Sequence, residues 1–201
     1  MRAGEMGGMT RLPRFLPADL DPAQRELYDA ITGGPRASGP QAVPLADDEG
    51  RLAGPFNAML VAPPLGQALQ GVGAAVRYGT TLSDRVREMA VLAVAGRWDC
   101  DFERYAHEPL ALRAGVTAEQ VTALREPRVP DLADDTECAA LTVVVALLRD
   151  GDVDDAAYAD AVAAVGTRVV FELTTLVGYY ATLALQLRVF RVTTPTGTGS
   201  G

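Results

Sequence analysis

Lysine is absent from this 201-residue chain: all 18 basic residues are arginines. Schiff-base chemistry on a side-chain amine is therefore excluded. Histidine occurs once, as His107. A transition-metal site generally takes three or four nitrogen, sulfur or carboxylate ligands, so no metal is expected. The two cysteines, Cys100 and Cys138, are too few for a disulfide framework in a chain of this size. Both read as reduced thiols, which points to the cytoplasm. The opening residues MRAGEMGGMT hold no apolar run of the signal-peptide kind. Basic residues are outnumbered, 18 against 26 acidic, for a net charge of -8. Such a surface repels phosphate backbones and anionic lipid, so neither nucleic acid nor membrane is expected as a partner. The most apolar stretch, 172–188, is interrupted by threonines, Gly178, Tyr179, Tyr180 and Gln186. It reads as a buried helix rather than a bilayer span.

What is present is helical throughout. Residues 1–10 are glycine-rich and are expected to be disordered, and 193–201 form a flexible tail. Residues 11–192 form one domain. Asp21-Pro22 opens a helix bearing Leu27, Tyr28 and Ile31, which Gly33-Gly34-Pro35 closes. A long loop rich in Pro, Gly and Asp runs to Gly54, and long loops are often functional. Pro63-Pro64 starts a helix with Leu65, Leu69, Val72 and Val76. Ser83 caps a helix from Asp84 to about Arg97. A further helix runs from about Asp99 to Arg113, with Gly115 as its stop. Thr117 to Gln120 is a capping box. Helices are expected at 134–149, at 152–165 ending at Gly166, and at 168–190, the last apolar nearly all round and so buried on every side, in the core or in a subunit interface. No alternating strand pattern occurs, and the fold class is all-α.

The chemistry concentrates in Ser83 to Gly115. Cys100, Glu103 and His107 are spaced by three and four residues, so a helix places them on one face. Glu103 can hydrogen-bond His107 and fix its tautomer. Cys100, in the first turn, would have its thiolate favoured by the helix dipole. Glu88 lies among Met89, Ala90, Val91 and Leu92, where a carboxylate is driven to find a partner or a raised pKa.

Glu88, Cys100, Glu103 and His107 together resemble the core motif of the carboxymuconolactone decarboxylase and alkylhydroperoxidase-like superfamily. Redox members carry Glu, about twelve residues later Cys-x-x-Cys, and then His four residues on. Here Glu103 stands where the second cysteine would be. Phe102-Glu103 matches the aromatic-Glu pair of the non-redox members. Gly54-Pro55-Phe56-Asn57, followed by Leu60 and Pro63, resembles the start of the family domain. The resemblance spans roughly residues 50–190. It implies an alkylhydroperoxidase-like helical bundle, assembled as a trimer or hexamer with pockets near subunit interfaces. Without a second motif cysteine a local dithiol cycle cannot run.

The resemblance therefore implies a cofactor-free lyase on a small carboxylated or lactone substrate. His107 would exchange the proton, with Glu88 and Glu103 as its partners. Arg85, Arg87 or Arg97 would bind a substrate carboxylate, and Asn57 and Trp98 are candidate pocket residues. One alternative is a thiol peroxidase using Cys100 with an external resolving thiol. Another is a non-catalytic helical assembly that binds a ligand.

Overall fold

A computed structural model describes residues 10–34 and 43–194. The expectations for 1–9, 35–42 and 195–201 lie outside the described residues. Among those described there are eight α-helices and a 3-10 turn at Pro17–Asp19. The helices are α1 (Pro22–Thr32), α2 (Gly54–Met59), α3 (Pro63–Tyr78), α4 (Asp84–Arg97), α5 (Asp101–Arg113), α6 (Ala118–Ala123), α7 (Asp135–Asp150) and α8 (Asp155–Val189). The only strand-like pairing among them is a single bridge between Ala46 and Leu52.

Local signals set most boundaries. Asp21 accepts from the Gln24 amide at 2.9 Å and Gln24 reaches back to the Asp21 amide at 3.1 Å, a closed capping box. Thr117 and Gln120 repeat it at the start of α6. The Ser83 hydroxyl accepts from the Val86 amide at 3.1 Å and starts α4. Gly151 ends α7 in the left-handed conformation at φ 75°, which glycine adopts without steric cost.

The centre of the molecule is α4. Every residue from Val86 to Ala95 is buried, because α4 packs against α5, α7 and α8 at once. A helix covered on all sides must be apolar all round. This one is, except for Arg87 and Glu88. Around it, α1 and α2 pack on α3, and α2 and α3 both reach α8. Leu141, Val144, Leu173 and Leu176 fill the space between α7, α8 and α4.

Two expected helix starts are corrected. Asp99 has φ 46°, so it cannot open a helix; α5 starts at Asp101, with Cys100 at the N-cap. The helix expected from Asp152 starts at Asp155, where the Asp154 side chain caps the Ala157 amide at 2.9 Å. The break expected at Gly166 is present: its φ 82° and ψ 155° are not helical, so α8 is two helical halves meeting at a kink. Within the single chain, the half of α8 after the kink leaves Phe171 72% and Val189 55% exposed. By length and composition α8 could cross a membrane, but its Leu173, Leu176, Leu183 and Leu187 side chains are core residues of the protein.

Gly96 shows how tightly α4 sits. A Cβ there would collide with the Leu124 carbonyl and come within 3.0 Å of the Arg125 Cα, both backbone atoms. Gly96→Ala should therefore destabilise the protein by about 1–3 kcal/mol despite alanine's better helix propensity. Denaturant unfolding of the two proteins checks this.

Candidate functional site

The hairpin of α4 and α5 brings Glu88 and His107 together from positions nineteen residues apart. Glu88 Oε2 lies 2.6 Å from His107 Nδ1. On the other side of the ring, Nε2 lies 3.4 Å from Glu103 Oε2, one turn earlier on α5. All three side chains are buried. The Tyr180 ring of α8 meets the imidazole edge-on, with centroids 5.3 Å apart and an interplanar angle of 90°. Arg77, in the last turn of α3, reaches Glu88 Oε1 at 3.5 Å, and Arg87 Nε stands 3.8 Å from the same oxygen. A row Arg77–Glu88–His107–Glu103 thus crosses the interior.

The row borders a cavity of about 120 Å³. Arg77, His107 and Glu103 line it, while Glu88 stands behind them. Phe56, Phe102, Leu110, Tyr179, Tyr180 and Leu183 supply much of the remaining wall. Across Phe102, Pro44 and Ala53 lies a second cavity of about 500 Å³, bordered by Arg14, Asp47, Asp48 and Asn57. Gly54 sits against the Phe102 ring at φ 56°, and a Cβ there would overlap the ring.

Glu88 and Glu103 are opposites electrostatically. Burial disfavours the Glu88 charge, but the hydrogen bond and charge of His107, with Arg77 and Arg87, outweigh it and hold the carboxyl below its usual range. Glu103 has no such support. Burial pushes its pKa up, the Glu88 charge adds to that, and nearby His107 only partly opposes it. Its Oε1 makes no hydrogen bond among the described residues. Two carboxyls flanking one imidazole, one kept ionised and one pushed toward the acid form, are the pattern of an acid–base pair. Burial also pushes the Tyr180 phenol up, so it stays neutral.

Residues 63–146, covering α3 to α7 and the whole row, match the carboxymuconolactone decarboxylase family. That stretch is similar to the family; it is less than half of the chain. Two solved structures share its fold. One is the alkylhydroperoxidase AhpD core of an uncharacterized peroxidase-related protein from Ralstonia eutropha JMP134. It is 14% identical, covers 94% of each chain, and has a TM-score of 0.69. The other is a protein of unknown function from Agrobacterium tumefaciens. It is 18% identical, covers 70% of this chain and 97% of its own, and has a TM-score of 0.61. No curated protein matches.

The other candidate residues fall elsewhere. Arg85 bonds Glu137 at 2.8 Å, Gln120 at 2.9 Å and the Gly115 carbonyl, tying α4 to α6 and α7 rather than facing the cavity. Arg97 donates to the Leu148 carbonyl at 3.1 Å and lies over the Trp98 ring, and neither residue borders the cavity beside His107. Arg87 gives one nitrogen to Asp84 and keeps its buried Nε near Glu88. Asn57 donates to the Pro13 carbonyl at 3.0 Å and accepts from the Phe15 amide at 3.2 Å, which pins the N-terminal segment beside the second cavity.

Cys100 packs with Phe102, Ala184 and Leu187, outside the cavity wall. Burial pushes its thiol up to about 11, so desolvation overrides the helix dipole expected to lower it. Among the described residues no group of three His, Cys, Asp or Glu could hold a metal ion. Sequence reasoning missed Arg77, Tyr78 and the role of Tyr180 as a wall. Arg77 directly follows the buried Val76, and that adjacency was the one available signal.

The raised Glu103 pKa has a stability consequence. A carboxyl that titrates higher when folded favours the folded state at low pH. That contribution is lost as pH rises above the unfolded value, about 4.3, and through the folded one. Glu103→Gln should therefore gain in melting temperature over the parent chain increasingly from about pH 4.5 upward. Thermal scans across pH 4–9 would show it, and a gap that is flat or shrinks with pH would contradict the assignment.

Proposed function

We propose that this protein is an acid–base enzyme that works without a cofactor on a small carboxylated or lactone substrate. The observation that carries the reading is His107 held between Glu88 and Glu103 on the wall of a largely apolar cavity. The ionised Glu88 accepts from Nδ1–H and so fixes the tautomer, leaving Nε2 on the side of Glu103 and the cavity. Glu88 is a positioning residue. His107 and Glu103 meet the substrate.

The step that suits this arrangement is proton transfer at a carbon conjugated to a carbonyl. In a decarboxylation, the bond to the carboxylate carbon breaks and carbon dioxide leaves. The electron pair spreads onto the carbonyl oxygen. The carbon then takes a proton from the acid form of Glu103, either directly or relayed through His107 Nε2, which accepts the Glu103 proton as it hands one on. In a proton shift, Nε2 removes the proton from one carbon and the pair returns it to another. Burial strengthens each interaction by excluding water. The same residues support both reactions, and the family match supports the first.

A thiol peroxidase centred on Cys100 has less support. Its sulfur is buried, its thiol is pushed to about 11, and Glu103 occupies the place of the second motif cysteine. The thiolate is the reactive form, so such a thiol is slow at neutral pH.

The test is a panel of small unsaturated lactone acids, followed for carbon dioxide release and for deuterium uptake from heavy water. His107→Gln should lower kcat on an accepted substrate by about 10²–10⁴-fold with an unchanged circular dichroism spectrum. Cys100→Ser should keep most of the activity. Full turnover by His107→Gln, or its loss in a folded Cys100→Ser, would reverse the reading.

A further inference from the structure

An acid–base step of this kind sends an electron pair onto a carbonyl oxygen, and that oxygen needs a partner of its own. Glu103 and His107 carry the proton, and Glu88 holds the imidazole. Negative charge gathering on an oxygen in a largely apolar cavity calls for a hydrogen-bond donor already in place. Tyr180 of α8 meets that need. Its ring touches the imidazole edge-on, with centroids 5.3 Å apart, and both side chains border the cavity. Tyr179 meets the same ring edge-on at 5.2 Å, so the phenol is held from two sides.

The hydroxyl has a hydrogen to give and nothing to give it to. Glu103, Glu88 and Arg77 all act on the phenol electrostatically, which places it among the polar groups of the row. Yet it makes no hydrogen bond among the described residues. Nor is it sealed into the packing as Glu103 Oε1 is, so it opens onto the cavity. Arg77, another donor on this wall, already faces the Glu88 carboxylate at 3.5 Å. Burial and the two carboxyls keep the phenol protonated well above neutral pH, so it donates a hydrogen bond without giving up its proton. Packing does not account for the hydroxyl. Phenylalanine would make the same edge contacts and the same wall, and a hydroxyl removed from water without a partner lowers stability.

Resting on the acid–base reading of the site, we propose that Tyr180 is a further catalytic residue, whose hydroxyl donates to the substrate carbonyl oxygen as that oxygen becomes negative. When the bond at the neighbouring carbon breaks, its electron pair moves through the carbonyl onto the oxygen, giving an enolate. The Tyr180 O–H holds the enolate oxygen and keeps its own proton. The pair returns to carbon as that carbon takes a proton from the Glu103 and His107 couple, and the carbonyl is restored. Protons and charge are thus handled by separate groups. One couple on α5 serves the carbon, and one phenol on α8 serves the oxygen.

The experiment is infrared difference spectroscopy of the full chain with carbonyl-labelled cyclopentanone, a neutral ketone whose binding does not rely on Arg77. The carbonyl stretch of the bound probe should lie at lower frequency in the parent chain than in Tyr180→Phe. Exchange of its α-protons in heavy water should slow by about 10²–10³-fold in Tyr180→Phe, the usual loss on removing one such donor. The melting temperature of Tyr180→Phe should equal or exceed that of the parent. The same carbonyl frequency in both proteins, or no binding of the ketone by the parent, would overturn the proposal. So would a Tyr180→Phe variant that melts well below the parent or does not fold, because the hydroxyl would then be structural. The two readings fail separately. A frequency difference without any α-proton exchange keeps the Tyr180 hydrogen bond and counts against proton transfer by His107, whereas exchange without a frequency difference does the reverse.

Discussion

The contact between Glu88 and His107 is the constraint around which this interior is arranged. A carboxylate on the most buried helix of the molecule is tolerable only if its charge is answered, and removing one partner from such a pair typically costs about 3–5 kcal/mol. The imidazole answers it at 2.6 Å from α5, and Arg77 answers it from α3. That requirement sets the register of the α4–α5 hairpin. It also brings the end of α3 to the same spot. Glu103 then follows by helical periodicity, one turn before His107, on the side of the ring that Glu88 leaves open. The chemistry is thus a by-product of how one buried charge is satisfied.

The contrast between the two carboxyls shows why distance alone does not define an acid or a base. Both are buried and both lie near the same imidazole. Glu88 has two arginines beside it and stays ionised; Glu103 has none and is pushed toward its neutral form. The same local logic disposes of Cys100. Its position at the start of α5 suggests a reactive thiol, yet packing against Phe102, Ala184 and Leu187 removes the water and the countercharge that a thiolate would need.

Much of this could be read along the chain, and the limits are physical. Capping residues such as Asp21, Ser83 and Thr117 announce helix starts because they act on amides a few residues away. The shared face of Glu103 and His107 follows from periodicity, and the all-helical fold from the lack of alternation. Glu88 was legible from its apolar neighbours and the family motif. Arg77 was not, because its partner is eleven residues away on another helix and only its place after the buried Val76 marks it locally. Arg85 and Arg97 looked equally eligible in sequence; only the packing of α6 and α7 shows that the backbone and Glu137 already use them.

Gly54 shows how a residue without chemistry can set the reach of the chemistry. Its bare backbone, at φ 56°, lets the Phe102 ring recline against it instead of leaning toward His107. That ring is a party wall between the two cavities. The missing methyl group therefore works as a spacer: the room left for a guest beside the imidazole is decided on the far side of the partition, by an atom that is not there.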